Sequence, residues 1–232
     1  MQPISAVIFD VDGVLLDSPH EAAWRQALAG LAEPGRLTGE LYQAVVAGKP
    51  RLDGARAVLA ALGVPEDRAE DYATAKQAVL SAMIAAGQFT VFDDGVAFLR
   101  DLKRRGLKIA AASSSKNANR MMALIELPGG GRLLDAFDAN LCGCEVAHGK
   151  PDPEIFRRAA DALATAPAQC LVVEDAGAGI AAGRAGGMRT LGIARHGDAA
   201  LLVAAQAELV VTSLSHVDVI CLHEGRLRAR PI

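Results

Sequence analysis

One short apolar run near the N-terminus limits the fold more than any other stretch of this chain. The run, Ala6 to Phe9, is rich in β-branched and aromatic side chains and too short for a helix, which is typical of a buried parallel strand. It ends at Asp10 and Asp12, which flank a single valine. Open α/β sheets carry their chemistry at the carboxyl ends of their strands, so both carboxylates are predicted to reach a functional edge. A surface turn built from Asp and Gly is the alternative.

The remaining sequence divides into a purely helical part and an alternating part. Helical patterns fill residues 20–29, 38–47, 51–62 and 66–86. From residue 91 onward, predicted strands at 107–112, 137–141, 170–173, 190–194 and 209–211 alternate with predicted helices at 93–105, 117–127, 153–164 and 178–186. This pattern predicts an α/β fold, a doubly wound, Rossmann-like parallel sheet with right-handed crossovers. We predict a core of residues 1–16 and 91–232, interrupted by a four-helix domain of residues 17–90.

Composition excludes several classes of protein. A chain of 232 residues that is 51% hydrophobic can bury a sizeable core, and a formal net charge of -3 without a basic block predicts no nucleic-acid partner and no membrane surface. The four cysteines form no Cys-x-x-Cys pair and no zinc site. No signal peptide or membrane span is expected, so we predict a cytoplasmic protein with reduced thiols.

Four further polar residues follow strands or stand in a rigid loop. Ser113 lies between a predicted strand and helix, where a hydroxyl and backbone N–H groups can bind an anion or simply cap the helix. Lys150 stands in a loop stiffened by prolines, either solvated or as a fixed positive charge. Glu174 and Asp175 end a second apolar strand. Carboxylates from two strand ends suit Mg²⁺, whose charge would offset their mutual repulsion.

The glycine-rich stretch 177–183 also imitates a dinucleotide-binding fingerprint, because it follows a strand and opens a helix. Two observations disfavour that interpretation. Glu174 and Asp175 would face the pyrophosphate, and the next predicted strand runs into Arg195 instead of an acidic ribose ligand.

The stretch Asp10-Val11-Asp12-Gly13-Val14 resembles the first motif of the haloacid dehalogenase-like (HAD) phosphotransferases, subfamily I. Ser113, Lys150 followed by proline, and Glu174-Asp175 resemble the second, third and fourth motifs. The dehalogenases of this superfamily lack the second aspartate, so its presence points to phosphate chemistry. The resemblance extends over nearly the whole chain, and in the family the helical insertion is a cap that closes over the active site.

The resemblance implies a role for each motif residue. Asp10 would be the nucleophile that forms an aspartyl-phosphate, and Asp12 the general acid and base. Ser113 would donate a hydrogen bond to the transferring phosphoryl group, and Lys150 would supply a fixed positive charge. Mg²⁺ would be bound by Asp10, by the backbone carbonyl of Asp12, by Asp175 and, directly or through water, by Glu174.

Other stretches resemble the β-phosphoglucomutase branch of the family. There an arginine, a serine, a lysine and an asparagine hold the phosphate that is not transferred, and a histidine lies near the general acid and the sugar. The implied substrate-binding residues are His20, Trp24, Arg51, Ser114, Ser115, Lys116 and Asn117. Ordinary solvated or packed helix residues are the alternative. The stretch from Asp17 to His20 is two residues shorter than in that branch, and residues 88–95 lack its usual proline-glycine. Both differences lie at the hinges of the insertion, so the resemblance does not determine which sugar is bound.

We therefore predict a Mg²⁺-dependent phosphotransferase, a monomer, that acts on a small sugar phosphate, with phosphoglucomutase as the first hypothesis. A HAD phosphatase with the same machinery is the second. A third hypothesis is a non-catalytic phospho-acceptor module, which would need neither Asp12 as an acid nor a helical lid.

Overall fold

The computed structural model of the protein describes residues 2–230, so residues 1, 231 and 232 of the predicted core lie outside the described residues. The strands are β1 (Ala6–Phe9), β2 (Leu16–Asp17), β3 (Thr90–Val91), β4 (Lys108–Ala111), β5 (Ala139–Asn140), β6 (Cys170–Glu174), β7 (Arg189–Ile193) and β8 (Leu209–Val211). The helices are α1 (His20–Ala27), α2 (Gly39–Val45), α3 (Arg51–Leu62), α4 (Ala69–Ala85), α5 (Asp93–Arg104), α6 (Ala118–Met122), α7 (Glu154–Ala162), α8 (Gly177–Ala185) and α9 (Ala199–Ala204).

Six of the strands form one parallel sheet in the order β5-β4-β1-β6-β7-β8, which confirms the predicted α/β class. The apolar strand β1 lies at its centre with every residue buried. Phe9 is level with Ala111 of β4 and Val173 of β6. This register brings the residues that follow these three strands to one edge of the sheet.

Helices α1 to α4 occupy the chain between the short strands β2 and β3, which pair antiparallel. They have a hydrophobic cluster of their own, in which the ring of Trp24 meets the ring of Tyr72 edge-on at 5.0 Å. Tyr72 also donates a hydrogen bond to the backbone carbonyl of Trp24. A separate apolar core and a two-stranded connection are what an inserted domain requires. We propose that residues 17–90 are this domain, the predicted cap.

The structure corrects two local predictions. The helix predicted at 117–127 ends at Met122, because the chain then reverses through three glycines with positive φ, Gly129 to Gly131, and Glu126 pairs with Arg132. Helix α9 was not predicted, since its six apolar residues carry no helical period. Among residues 2–230 no helix has both the length and the apolar character needed to cross a membrane.

Candidate active site

Lys150 lies at the centre of the carboxylates that end β1 and β6. Its Nζ is 2.5 Å from Asp10 Oδ1 and 2.6 Å from Glu174 Oε1, and its side chain is fully buried. Burial alone would lower the pKa of Lys150, but the charges of Asp10 and Glu174 outweigh it and the pKa is raised. The ammonium group therefore stays charged between the two carboxylates, and its role as the fixed cation of a phosphoryl-transfer site stays a prediction.

Asp10 and Glu174 are both held in a buried, charged environment. Burial raises the pKa of each carboxyl, and the nearby Lys150 offsets part of that rise. Glu174 Oε1 accepts from Lys150, and Oε2 accepts from the backbone N–H groups of Asp175 and Ala176 at 3.0 and 3.1 Å. Both oxygens of Glu174 are thus already engaged, which favours a metal contact through water over a direct one.

Asp175 has a different environment: within the described part of the chain it forms no ion pair, unlike Asp10 and Glu174. Its pKa is raised well above the ordinary value, first by burial and then by the charges of Glu174 and Asp10. Gly13 lies directly against it: a Cβ at Gly13 would come within 1.8 Å of Asp175 Oδ2, and Gly13 has φ +79°. Only glycine allows both this backbone conformation and this approach.

These residues fit a bound Mg²⁺ by their chemistry. The donors that Asp10, Asp175 and the Asp12 backbone offer are oxygen atoms, and one lysine faces four acidic side chains, so a further cation would relieve their repulsion. Among residues 2–230 no three His, Cys, Asp or Glu side chains alone group closely enough to form a metal site. The ligand set, which relies on a backbone carbonyl and a substrate oxygen, stays a prediction.

Asp12 is only loosely held by side chains. Its Oδ2 is 3.4 Å from the hydroxyl of Ser113, and its buried Oδ1 has no hydrogen-bond partner among residues 2–230, with His20 Nε2 at 3.6 Å. Burial raises the pKa of Asp12, although a hydrogen bond from Ser18 and the charge of Lys76 oppose the rise. A carboxyl with a raised pKa and a free oxygen can hold a proton for transfer, as a general acid must.

Lys76, on α4, is a residue of the candidate site that sequence reasoning missed. Its Nζ lies 3.1 Å from His20 Nδ1 and 5.0 Å from the centre of the Trp24 ring. Burial lowers the pKa of Lys76 to about 7, and burial together with Lys76 keeps the pKa of His20 well below its usual value. Protonated Lys76 can only donate to Nδ1, so in that state the proton of neutral His20 belongs on Nε2, which faces Asp12. A buried lysine in an alanine-rich helix was the only available signal.

Lys76→Met is expected to flatten the pH dependence of stability above neutrality. Unfolded lysine titrates at 10.5, but Lys76 in the folded protein titrates at about 7. Between these values the unfolded chain binds the extra proton, so the free energy of unfolding rises with pH, by at most about 1.4 kcal/mol per pH unit. Denaturant unfolding from about pH 7 to about pH 9 measures the slope.

The exposed residue Lys103 provides the matched control, and Lys103→Met should keep the wild-type slope. An unchanged slope in Lys76→Met would show that Lys76 titrates normally in the folded protein.

A second polar cluster joins the helical domain to the core. Gln77 Oε1 accepts from Arg51 at 2.7 Å and from Asn117 Nδ2 at 3.2 Å, and Gln77 Nε2 donates to Asn117 Oδ1 at 3.1 Å. Ser115 Oγ lies 3.4 Å from His20 Nε2, and either atom can be the donor. Lys116 is exposed close to this cluster. The structure thus brings together the predicted substrate-binding residues and adds Gln77, which sequence reasoning missed.

One cavity of about 730 Å³ connects the two clusters. It extends from Asp10 and Asp175 to Arg51 and Lys116, and Ser114 contributes to its wall. Trp24 also reaches this wall, but its ring packs mainly in the core of the helical domain. A cavity of this size is within the range of small-ligand sites.

The loop before α3 packs tightly on the core beside Lys150. A Cβ at Gly149 would lie 2.0 Å from Pro50 Cγ, and Ser114 donates to the carbonyl of Gly48 at 3.3 Å. Gly149 does not have a positive φ, so its backbone accepts other residues. The absence of a side chain at Gly149 therefore serves this contact.

Gly149→Ala is expected to lower kcat/KM by about 10²-fold, because the new methyl group pushes Pro50 and its loop away from the site. The thermal midpoint should change little, since the clash is relieved by a small opening of the helical domain. Pro50→Ala removes the opposing ring atoms, so the double variant Pro50→Ala/Gly149→Ala should recover most of the activity. No recovery in the double variant would contradict a steric cause.

Comparison with known proteins adds a family match. The family model described as haloacid dehalogenase-like hydrolase matches residues 4–187. The chain is 34% identical to a β-phosphoglucomutase of Mycobacterium bovis, over 93% of this chain and 92% of the relative. It is 34% identical to protein CbbY of Rhodobacter capsulatus (81% and 84% covered) and 29% identical to a phosphorylated carbohydrates phosphatase of Thermotoga maritima (81% and 84%).

A solved structure, that of an archaeal β-phosphoglucomutase from Pyrococcus, has the same fold. It matches with a TM-score of 0.74 at 30% identity, covering 95% of this chain and 99% of that one.

Proposed function

Because this chain belongs to the haloacid dehalogenase-like hydrolase family, and so is an enzyme acting on phosphate esters, we propose that it is a Mg²⁺-dependent sugar-phosphate phosphotransferase, most specifically a β-phosphoglucomutase. The observation that carries the proposal is the pairing of Lys150 with both Asp10 and Glu174, beside the loose carboxyl of Asp12. The carboxylate of Asp10 is fixed by Lys150, whereas the carboxyl of Asp12 can carry a proton. Nucleophilic transfer to Asp10 with acid catalysis by Asp12 needs this division of roles.

The chain's own residues perform each step of the proposed mechanism. Lys150 holds Asp10 and attracts a phosphoryl oxygen, while Ser113 donates a hydrogen bond to the group being transferred. Asp12 gives its proton to the departing sugar oxygen and takes one from the accepting hydroxyl. Bound Mg²⁺ would offset the charge on the phosphoryl oxygens.

The second polar cluster supports a substrate with two anionic groups. Arg51 and Lys116 place positive charge at the far end of the cavity, and Asn117 adds an amide donor there. A bisphosphate could engage both ends, so that phosphate returned from Asp10 reaches the other hydroxyl of the sugar. We therefore propose a small sugar phosphate as the substrate. We also propose that the protein is a monomer and that it works in the cytoplasm, where its four free thiols would stay reduced.

The test is an isomerisation assay with phosphate release followed in parallel. β-Glucose 1-phosphate with a trace of the bisphosphate should give glucose 6-phosphate, and free phosphate should form at least about 10²-fold more slowly. Absence of glucose 6-phosphate under these conditions would exclude the mutase.

A HAD phosphatase is the second candidate, favoured by the relative named as a phosphorylated carbohydrates phosphatase. The same chemistry then ends with water as the acceptor, and the assay above gives phosphate and free sugar as products.

A further inference from the structure

Arg195, which follows β7 by two residues, binds the loop that carries Asp12. Its Nε donates to the carbonyl of Gly13 at 3.0 Å and its Nη2 donates to the carbonyl of Val14 at 2.9 Å. The side chain is only 9% exposed. A single guanidinium therefore fixes the two residues directly after Asp12.

The same guanidinium also binds the start of α5. Arg195 forms a two-point ion pair with Asp94, at 3.0 and 3.2 Å, and stacks 3.7 Å from the centre of the Phe92 ring. Asp94 accepts further hydrogen bonds from Ser213 Oγ at 2.7 Å and from the backbone N–H of Leu214 at 2.8 Å. These bonds anchor Asp94 and, through it, the guanidinium of Arg195 at the start of α5.

Asp94 stays ionised in this arrangement. Burial alone would raise its pKa, but the hydrogen bonds from Arg195 and Ser213 outweigh burial and hold the pKa below the ordinary value. The pair of Asp94 with Arg195 provides an anchor at this hinge. The two connections between core and helical domain, residues 12–17 and 90–94, meet at this one side chain.

Few side-chain contacts fix the carboxyl of Asp12: among the described residues Oδ1 has no hydrogen-bond partner and Oδ2 has a long contact to Ser113. The hydrogen bond from Ser18 comes from the residue directly after the same connection between core and helical domain, so the position of the carboxyl depends on the backbone of this segment. We propose that Arg195 is a positioning residue for proton transfer by Asp12: it holds the loop of residues 12–14 so that the carboxyl meets the leaving oxygen. The proposal rests on the proposed role of Asp12 as general acid, and it adds a residue that touches neither substrate nor phosphate.

Leaving groups of different quality separate positioning from general damage. Phenyl phosphate has a poor leaving group that needs a proton, whereas 2,4-dinitrophenyl phosphate departs without one. Arg195→Met should lower kcat/KM for phenyl phosphate by about 10²-fold and kcat/KM for the dinitrophenyl ester by less than about 3-fold, because kcat/KM reports the transfer to Asp10 and not the later step in which Asp12 acts as a base. Asp12→Asn should show the same contrast in stronger form.

Two control variants distinguish a loss of positioning from a general structural effect of the substitution. Arg100→Met, which changes an exposed arginine on α5, should leave both rates near wild type. Arg195→Lys keeps a charge for Asp94 but cannot serve both carbonyls, so it should fold and still show the contrast if Arg195→Met does not fold. Equal losses on the two esters, in either Arg195 variant, would overturn the proposal.

The wild-type enzyme separates this proposal from the function above. If wild type turns over the aryl esters but no sugar phosphate, the mutase proposal fails while the Arg195 comparison remains valid. If Asp12→Asn shows no contrast between the esters, Asp12 is not the acid and both proposals fall together.

Discussion

Asp10→Asn is expected to lower kcat by at least about 10⁴-fold, since it removes the oxygen that attacks phosphorus. The amide has nearly the same volume as the carboxylate, so the fold around β1 should persist. Substrate affinity should stay within about 10-fold of wild type, because Lys150 and the far cluster remain. Single-turnover kinetics with a sugar phosphate, combined with a binding titration, measures both quantities.

Asp67→Asn is the matched control for this variant. Asp67 is an exposed aspartate of the helical domain that does not line the cavity, so its replacement should leave kcat unchanged. Residual turnover in Asp10→Asn above about one per cent of wild type would exclude Asp10 as the nucleophile.

Asp175→Asn is expected to lower the activity and, at the same time, to raise the stability of the metal-free protein. Activity should fall by about 10³-fold, corresponding to several kcal/mol of lost charge stabilisation at the phosphoryl group. The metal-free protein should become more stable, because one of four clustered acidic side chains loses its charge. Added Mg²⁺ should raise the thermal midpoint of wild type and leave that of Asp175→Asn nearly unchanged.

The sign of the stability effect follows from the pKa of Asp175. Its folded pKa is raised, so the folded protein binds more protons than the unfolded chain above the ordinary pKa of 3.8, and stability falls as pH rises towards the folded pKa. Each pKa unit between the folded and the unfolded state corresponds to about 1.4 kcal/mol in the free energy of unfolding, or about 3–6 °C in Tm, and Asp175→Asn removes this destabilisation. Thermal melts with a chelator at about pH 8 measure it. Asp161→Asn, at an exposed site, should not raise Tm; a lower Tm for Asp175→Asn would contradict the repulsion.

The strand ends could be predicted from sequence because each has a local signature. Apolar runs end at Asp10, Ser113 and Glu174, and the rule that parallel strands share a functional edge brings them together. The register of Phe9 with Ala111 and Val173 supplies this convergence. Lys150 was predicted from its proline-rich loop and from its resemblance to the third family motif, because no hydrophobic periodicity points to it.

Residues contributed by long-range packing could not be predicted. Lys76 and Gln77 are neighbours on α4, and nothing local distinguishes them from other polar residues of a surface helix. Their partners, His20 and Asn117, are far away in the chain. The same holds for Arg195, whose pairing with Asp94 depends on how β7 and α5 lie beside the Asp12 loop.

The most direct measurement is the chemical identification of the phosphorylated residue. The enzyme is mixed with a sugar bisphosphate and Mg²⁺, quenched in acid within the first turnover, digested and mapped by mass spectrometry. A phosphoryl group on the peptide that contains Asp10, labile to hydroxylamine and missing in Asp10→Asn, is the predicted result. A stable phosphoryl group on another residue, or turnover without any phosphorylated peptide, would contradict transfer through Asp10.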